Sequence, residues 1–202
     1  MNKKSAFANI IITLGALLLL ASLVLIGKNL YEEKRAEKLS LSASIELVGI
    51  IKNENTPVNP FPAPSVMPDP DREMPVKTIN GKPYIGILNV PALGLELPVI
   101  NEWSYENFTV SPCRYDGSVY KNNMIIAAHN YRSHFARLRT LSPGDSVSFT
   151  DMNSDVFNYE VVETEILLPE QVDDMKSGDW DLTLFTCTFG GEYRITVRCK
   201  QK

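Results

Sequence analysis

Thr183-Leu184-Phe185-Thr186-Cys187-Thr188-Phe189-Gly190-Gly191-Glu192-Tyr193-Arg194-Ile195-Thr196-Val197, close to the end of the chain, reads as two strands joined by a tight turn. Gly190 and Gly191 both accept φ > 0, which a two-residue hairpin loop demands. With those two as the loop, Phe189 faces Glu192, Thr188 faces Tyr193 and Cys187 faces Arg194. Directly opposed residues of an antiparallel pair share a face, with Cβ atoms ~4.5–5.5 Å apart. The local sequence therefore sets a thiol beside a guanidinium. A fixed positive charge favours the thiolate, and the same group can donate to the oxyanion of a tetrahedral intermediate. The pairing depends on loop length, because a slip of one residue would send the two side chains to opposite faces.

Upstream of this hairpin the texture is also that of strands. Tyr84-Ile85-Gly86-Ile87-Leu88-Asn89-Val90 is bounded by Pro91, and Leu95-Glu96-Leu97-Pro98-Val99-Ile100 follows the Ala92-Leu93-Gly94 turn. Asn123-Met124-Ile125-Ile126-Ala127-Ala128 is nearly all apolar, as expected of a strand buried on both faces. Phe135, Leu138 and Leu141 have helical spacing and predict a short helix or turn, and Pro143-Gly144-Asp145 is a turn. Residues 146–149 and 157–162 alternate, and 166–168 lead into a polar loop over 169–179. About eight short strands with turn signals and little helix predict an all-β domain: an eight-stranded closed β-barrel with short helices.

The thiol needs a proton acceptor, and the chain has only two histidines. His129 follows the apolar run 124–128 at a strand end. His134 is read as part of a polar turn beside Arg132 and Arg137. The cysteines are three, Cys113, Cys187 and Cys199, too few for a disulfide scaffold. Neither a Cys-x-x-Cys nor a His-x-x-x-His pair occurs, so the zinc pattern is missing. Cys113 and Cys199 read as packed strand thiols. Glu170, Asp173, Asp174 and Asp179 read as a solvated acidic loop rather than a hard-cation site. No cofactor and no metal is expected.

The formal net charge is −4, and no Lys/Arg cluster is dense enough to track a phosphate backbone, which argues against a nucleic-acid partner. The amino-terminal segment points to a membrane instead. Residues 5–27 carry no charge, and about 20 apolar residues suffice to cross a bilayer core of roughly 30 Å. The run is long, no Ala-x-Ala site ends it, and Gly27 is followed at once by Lys28. It is read as an uncleaved signal-anchor in preference to a cleaved signal peptide. Lys3 and Lys4 precede the span while Lys28, Lys34, Arg35 and Lys38 follow it, so charge counting alone does not orient it. A helix is expected over 29–51, then a proline-dense extended linker with Pro57, Pro60, Pro62, Pro64, Pro68, Pro70 and Pro75. A sharper reading of the linker lets Met67-Pro68-Asp69-Pro70 fold back as a lid over a groove. The expected organisation is an anchor over 1–28, a helical stalk and Pro-rich linker over 29–77, and a catalytic barrel over 78–202.

Taken together these residues resemble the sortase family. Thr183-Leu184-Phe185-Thr186-Cys187 matches its Thr-Leu-x-Thr-Cys nucleophile motif, and Arg194 falls in the next strand, followed by Ile195-Thr196-Val197. Ile126-Ala127-Ala128-His129-Asn130 is similar to its Ala-Gly-His segment, with Ala128 where the family usually has glycine. Ile85-Gly86 through Leu97-Pro98-Val99 is similar to its opening strands. The resemblance runs from about Pro83 to Lys200 with the motifs in matching order. It implies a cysteine transpeptidase that cleaves a Leu-Pro-x-Thr-Gly-like sorting signal between Thr and Gly. Cys187 would form a thioacyl intermediate, His129 would act as acid and base, Arg194 would hold the oxyanion, and Thr186 would line the substrate site. The implied partners are surface proteins with a carboxy-terminal sorting signal and an amine acceptor, either a peptidoglycan precursor or a pilin lysine. The implied place is the membrane of a Gram-positive-type cell, single-pass, with the amino terminus inside and the barrel outside. An L,D-transpeptidase would want its histidine close before the cysteine, and a papain-like protease would place the cysteine first in the chain. The remaining alternative is a surface-anchored β-barrel that binds a peptide without catalysis.

Overall fold

The computed structural model describes residues 3–54 and 69–202. Most of the linker prolines, and Met67-Pro68 of the lid reading, lie outside the described residues. The chain divides into two compact units, Met1–Arg35 and Ala36–Lys202.

The first unit is helical and belongs to α1 (Lys3–Glu54), which runs on without a break where the sequence suggested two separate segments. No proline falls inside it, and Gly15, Gly27 and Gly49 each cost only about 1 kcal/mol in a helix interior. From Ile10 to Ile26 its large apolar side chains are 54–71% exposed on all sides. Apolar all round and long enough to cross a bilayer, this helix fits a membrane anchor.

In the second unit the remainder of α1 buries a narrow stripe: Ala36, Ser40, Ala43, Ser44 and Leu47. These recur at three- and four-residue spacing on one face. The small side chains let the backbone approach the barrel, and Ser44 donates its hydroxyl to the Glu96 carbonyl (3.2 Å). Leu39, Leu41 and Ile45, apolar markers of this helix in the sequence, stay exposed.

Among the described residues nine strands follow: β1 (Lys77–Ile79), β2 (Lys82–Val90), β3 (Leu95–Ile100), β4 (Cys113–Asp116), β5 (Met124–Ala127), β6 (Ser146–Asp151), β7 (Val156–Leu167), β8 (Leu182–Cys187) and β9 (Arg194–Gln201). Short helices α2 (Tyr105–Phe108) and α3 (Val172–Lys176) lie in the β3–β4 and β7–β8 connections. The strand order is β1-β2-β3-β4-β5-β8-β9-β7-β6, and β6 pairs back onto β2. Strands β2 to β9 thus form the expected eight-stranded closed barrel, and β1 is a short addition hairpinned to β2. Two pairs are parallel, β3–β4 and β5–β8. Segments read as separate, 157–162 and 166–168, are one long strand, β7, with a bulge against β9 between Val161 and Glu163. At Gly86 a bulge brings β2 against β6, where a Cβ would fall on the Thr150 carbonyl and the Phe149 ring. That close approach requires glycine.

Alternation along the strands sends two side-chain sets to two cores. The barrel interior holds Ile85, Leu88, Phe149, Tyr159, Leu184 and Val197 among others. An outer cluster holds Ala43 and Leu47 of α1 with Phe108, Ala127, Leu167, Met175 and Phe185. The outer face of β8 and β9, with the end of β5, carries the candidate site described below.

Asp69 and Pro70 open a turn in which Asp69 accepts from the backbone N–H groups of Asp71 and Arg72 (both 3.0 Å). Arg72 then reaches Asp155 (3.1 Å) and covers the Tyr120 ring at 4.1 Å, while Tyr120 donates to the buried Asp151 (2.5 Å). Tyr120 precedes β5, whereas His129 follows it, so this turn is fastened at the opposite end of β5 from the histidine.

Candidate active site

Cys187 and Arg194 are Cα partners on β8 and β9, as the hairpin reading predicts. The turn itself differs. Gly191 N donates to Thr188 O (2.9 Å), placing Phe189 and Gly190 at the turn centre, and Thr188 N donates to Tyr193 O (2.9 Å). The connection is a four-residue loop, 189–192, with Gly190 and Gly191 at φ 86° and 78°. The expected Phe189–Glu192 pair is not made, yet the register is unchanged because the loop is lengthened symmetrically. Phe189 stands 93% exposed at the tip. Arg194 Nη1 donates to the loop carbonyls of Gly191 (2.9 Å) and Tyr193 (3.3 Å), so the loop steers the guanidinium.

The histidine arrives through the parallel pair. Ala127 is registered with Phe185, Ala128 N donates to Phe185 O (3.1 Å), and Thr186 Oγ1 donates to Ala128 O (2.8 Å). One residue further on, His129 and Cys187 leave their strands side by side, and neighbouring strands are ~4.8 Å apart. His129, Cys187 and Arg194 therefore occupy one row across three adjacent strands. Phe108 and Tyr131 flank the imidazole, with ring centroids at 4.1 Å and 4.7 Å. Thr186 was expected to line the substrate site. Its side chain is instead 2% exposed, turned to the interior, with its hydroxyl given to Ala128. It ties the two strands beneath the row, because alternation sends Cys187 outward and its neighbour inward.

His134 is not in a solvated polar turn: it is fully buried, with both ring nitrogens lacking a hydrogen-bond partner among the described residues. Burial, then the nearby His129, pushes its pKa down to about 4, so the ring is neutral at pH 7. Cys113 and Cys199 are buried free thiols, each pushed up to about 12 chiefly by burial, in keeping with packed strand cysteines. Cys187 is partly exposed and is the remaining free thiol.

Sequence reasoning missed Arg198, which is 2% exposed on β9 and faces the same way as Arg194. Its signal was a charge inside the buried run Ile195-Thr196-Val197-Arg198-Cys199, a position that demands partners. Phe108 had no such signal. The acidic loop makes no metal cluster among the described residues. Its carboxylates go elsewhere: Asp174 accepts from Gln171 (2.7 Å) and Asp179 pairs with Lys200 (2.8 Å).

A closed barrel that presents Cys, His and Arg in one row on its outer face defines a candidate cysteine acyl-transfer enzyme. The sortase-domain family model matches residues 88–202, and the chain belongs to the sortase family. It is accordingly a sortase-type cysteine transpeptidase in general terms. Sortase A of Bacillus anthracis is 26% identical over 196 residues, covering 93% of this chain and 89% of that protein. Among solved structures, sortase C of Streptococcus pneumoniae aligns with a TM-score of 0.55 at 19% identity, covering 84% of this chain and 93% of that one. Sortase C of Clostridium perfringens, solved with the C-terminal cell wall sorting motif, aligns at 0.52 and 21% identity, covering 80% and 90%. These two likenesses show the shared fold.

Proposed function

We propose that this chain is a membrane-anchored transpeptidase that cuts a Leu-Pro-x-Thr-Gly-like sorting signal between Thr and Gly and passes the acyl fragment to an amine. The observation that carries this reading is the single row formed by His129, just past the end of β5, with Cys187 of β8 and Arg194 of β9. The Cys187 thiolate attacks the Thr carbonyl carbon, and the π electrons move onto oxygen. Arg194 has five N–H donors, and the loop carbonyls engage only Nη1, so the guanidinium has donors left for that oxyanion. Collapse expels the glycine amine, which takes a proton from the His129 imidazolium, and a thioester to Cys187 remains. An acceptor amine then attacks the thioester, gives its surplus proton to His129, and releases the thiolate. The acceptor is a peptidoglycan precursor or a pilin lysine. In this reading residues 1–28 are the anchor, 29–77 the stalk and linker and 78–202 the barrel, with the amino terminus inside the cell and the barrel outside.

The test is incubation of the full chain in detergent micelles with a library of sorting peptides, followed by intact mass analysis. A thioacyl adduct on Cys187 that disappears when an amine is added is the expected result. Peptide binding without adduct or cleavage would leave the chain as a binding domain and overturn the proposal.

A further inference from the structure

Arg198 makes four hydrogen bonds to three parts of the chain. Its Nε pairs with Glu165 Oε1 of β7 at 2.6 Å. Nη1 donates to the Met175 carbonyl (2.8 Å) and to Thr183 Oγ1 of β8 (3.0 Å), and Nη2 donates to the Asp174 carbonyl (2.8 Å). The two carbonyls belong to the last turn of α3, and that of Asp174 also accepts from Ser177 N (3.3 Å) and Oγ (3.1 Å) at the helix end. Thr196, between Arg194 and Arg198, adds a contact of 3.8 Å to the Met175 sulfur. On the far side of α3, Lys176 pairs with Asp116 of β4 (2.5 Å) and lies 5.7 Å from the centre of the Tyr115 ring.

These contacts pin the connection between β7 and β8 across the outer face of β9, β8 and β4. Thr196 is paired with Phe185, two residues before Cys187. Two residues along a strand span about 7 Å, so α3 rises one side-chain row from the thiol. Met175, Phe185, Leu167, Ala127 and Phe108 belong to one buried apolar cluster, so α3 packs over Phe185 and stands as a wall one row from Cys187.

We propose that Arg198 is a positioning residue that fixes the α3 wall of the peptide groove before any peptide binds. The groove's use rests on the transpeptidase reading; the latch itself does not. Arg198 touches no reacting atom. It holds Asp174 and Met175 by their carbonyls, so the wall is set by backbone, and Glu165 and Thr183 aim the guanidinium. Losing the fork frees α3 to move, which weakens peptide binding without disabling the thiol.

The experiment compares the full chain in micelles with Arg198→Met, Arg198→Lys and Glu165→Gln. Amide hydrogen exchange over 168–181 should quicken by about a hundredfold in Arg198→Met and by about tenfold in Arg198→Lys and in Glu165→Gln, as local opening becomes easier. KM for a sorting peptide should rise by about tenfold with kcat nearly unchanged, the pattern of lost uniform binding. Alkylation of Cys187 by iodoacetamide should keep its rate. Unchanged exchange in the folded variants overturns the latch. Faster exchange with an unchanged KM reduces Arg198 to a structural residue and overturns its positioning role. If Arg198→Met does not fold, Arg198→Lys and Glu165→Gln decide by the same readouts. If the parent chain turns over no peptide, the transpeptidase reading fails, while exchange still decides the latch.

Discussion

The two faces of the β8–β9 ribbon are built from the same residues in alternation, yet they do opposite things. The inner face carries Leu182, Leu184, Ile195, Val197 and Cys199, all in the barrel core. The outer face carries Thr183, Cys187, Arg194, Thr196 and Arg198. Cys199 and Cys187 are chemically the same side chain. The inner one is sealed among apolar groups that push its thiol up to about 12. The outer one is partly exposed and registered against a guanidinium. Exposure here is decided by which side of the pleat a residue takes, not by its type.

The sharpest way to break this contrast is to exchange the sulfurs' fates. Cys187→Ala should abolish both peptide cleavage and amine transfer, whereas Cys199→Ala and Cys113→Ala should keep both and lower the melting temperature; a turnover assay with thermal denaturation reads the difference. His129→Ala should lose nearly as much activity, measured as amine transfer at several pH values. Arg194→Lys keeps a charge but loses the planar fork, and a lost oxyanion donor costs ~10²–10³ in kcat. Retention of full kcat in Arg194→Lys would remove the arginine from the oxyanion role.

A smaller effect concerns stability. The folded pKa of His134 is depressed to about 4 from an ordinary 6.5. The folded state thus favours the neutral ring, and the unfolded chain binds the proton first. Its contribution is present above pH ~6.5 and is lost as pH falls toward 4, about 3 kcal/mol over the whole window. Wild type should lose melting temperature steeply between pH 6.5 and 4, and His134→Phe should flatten that limb. The smallest effect belongs to Phe108. Trimming it to leucine removes one of the two rings beside His129, an interaction worth ~0.5–1.5 kcal/mol. A few-fold fall in kcat and a displaced pH profile are expected; an unchanged profile would make Phe108 mere packing.

How much of this was legible follows from distance along the chain. The Cys187–Arg194 pairing could be read because a hairpin is local and the glycines mark its loop. The loop came out four residues long because Thr188 O takes the Gly191 N–H, but symmetry preserved the register. The parallel pairing of β5 with β8 joins segments more than 50 residues apart in the numbering, and only the motif order suggested it. His134 looked polar from its neighbours Arg132 and Arg137, and its burial is a tertiary event. The latch at Arg198 could be suspected from a charge in an apolar strand, but its partners on α3 could not be named. β4 is as short as β5 but reads Cys-Arg-Tyr-Asp where β5 reads Met-Ile-Ile-Ala, so it has no apolar run to stand out.

Barrel closure has one more consequence. Around Cys187, β5, β8, β9 and β7 each have a neighbour on both sides. The loosest seam, β3 against β4, has a single registered pair, and there the Glu96 and Pro98 carbonyls are taken by the hydroxyls of Ser44 and Ser111. An extended peptide laid beside the thiol finds no open ladder to join, so recognition by strand addition is closed to it. Whatever is held there is held by side chains and by the backbone of loops and not by a strand ladder, and a grip made of side chains reads the letters of a peptide where a ladder would read only its backbone.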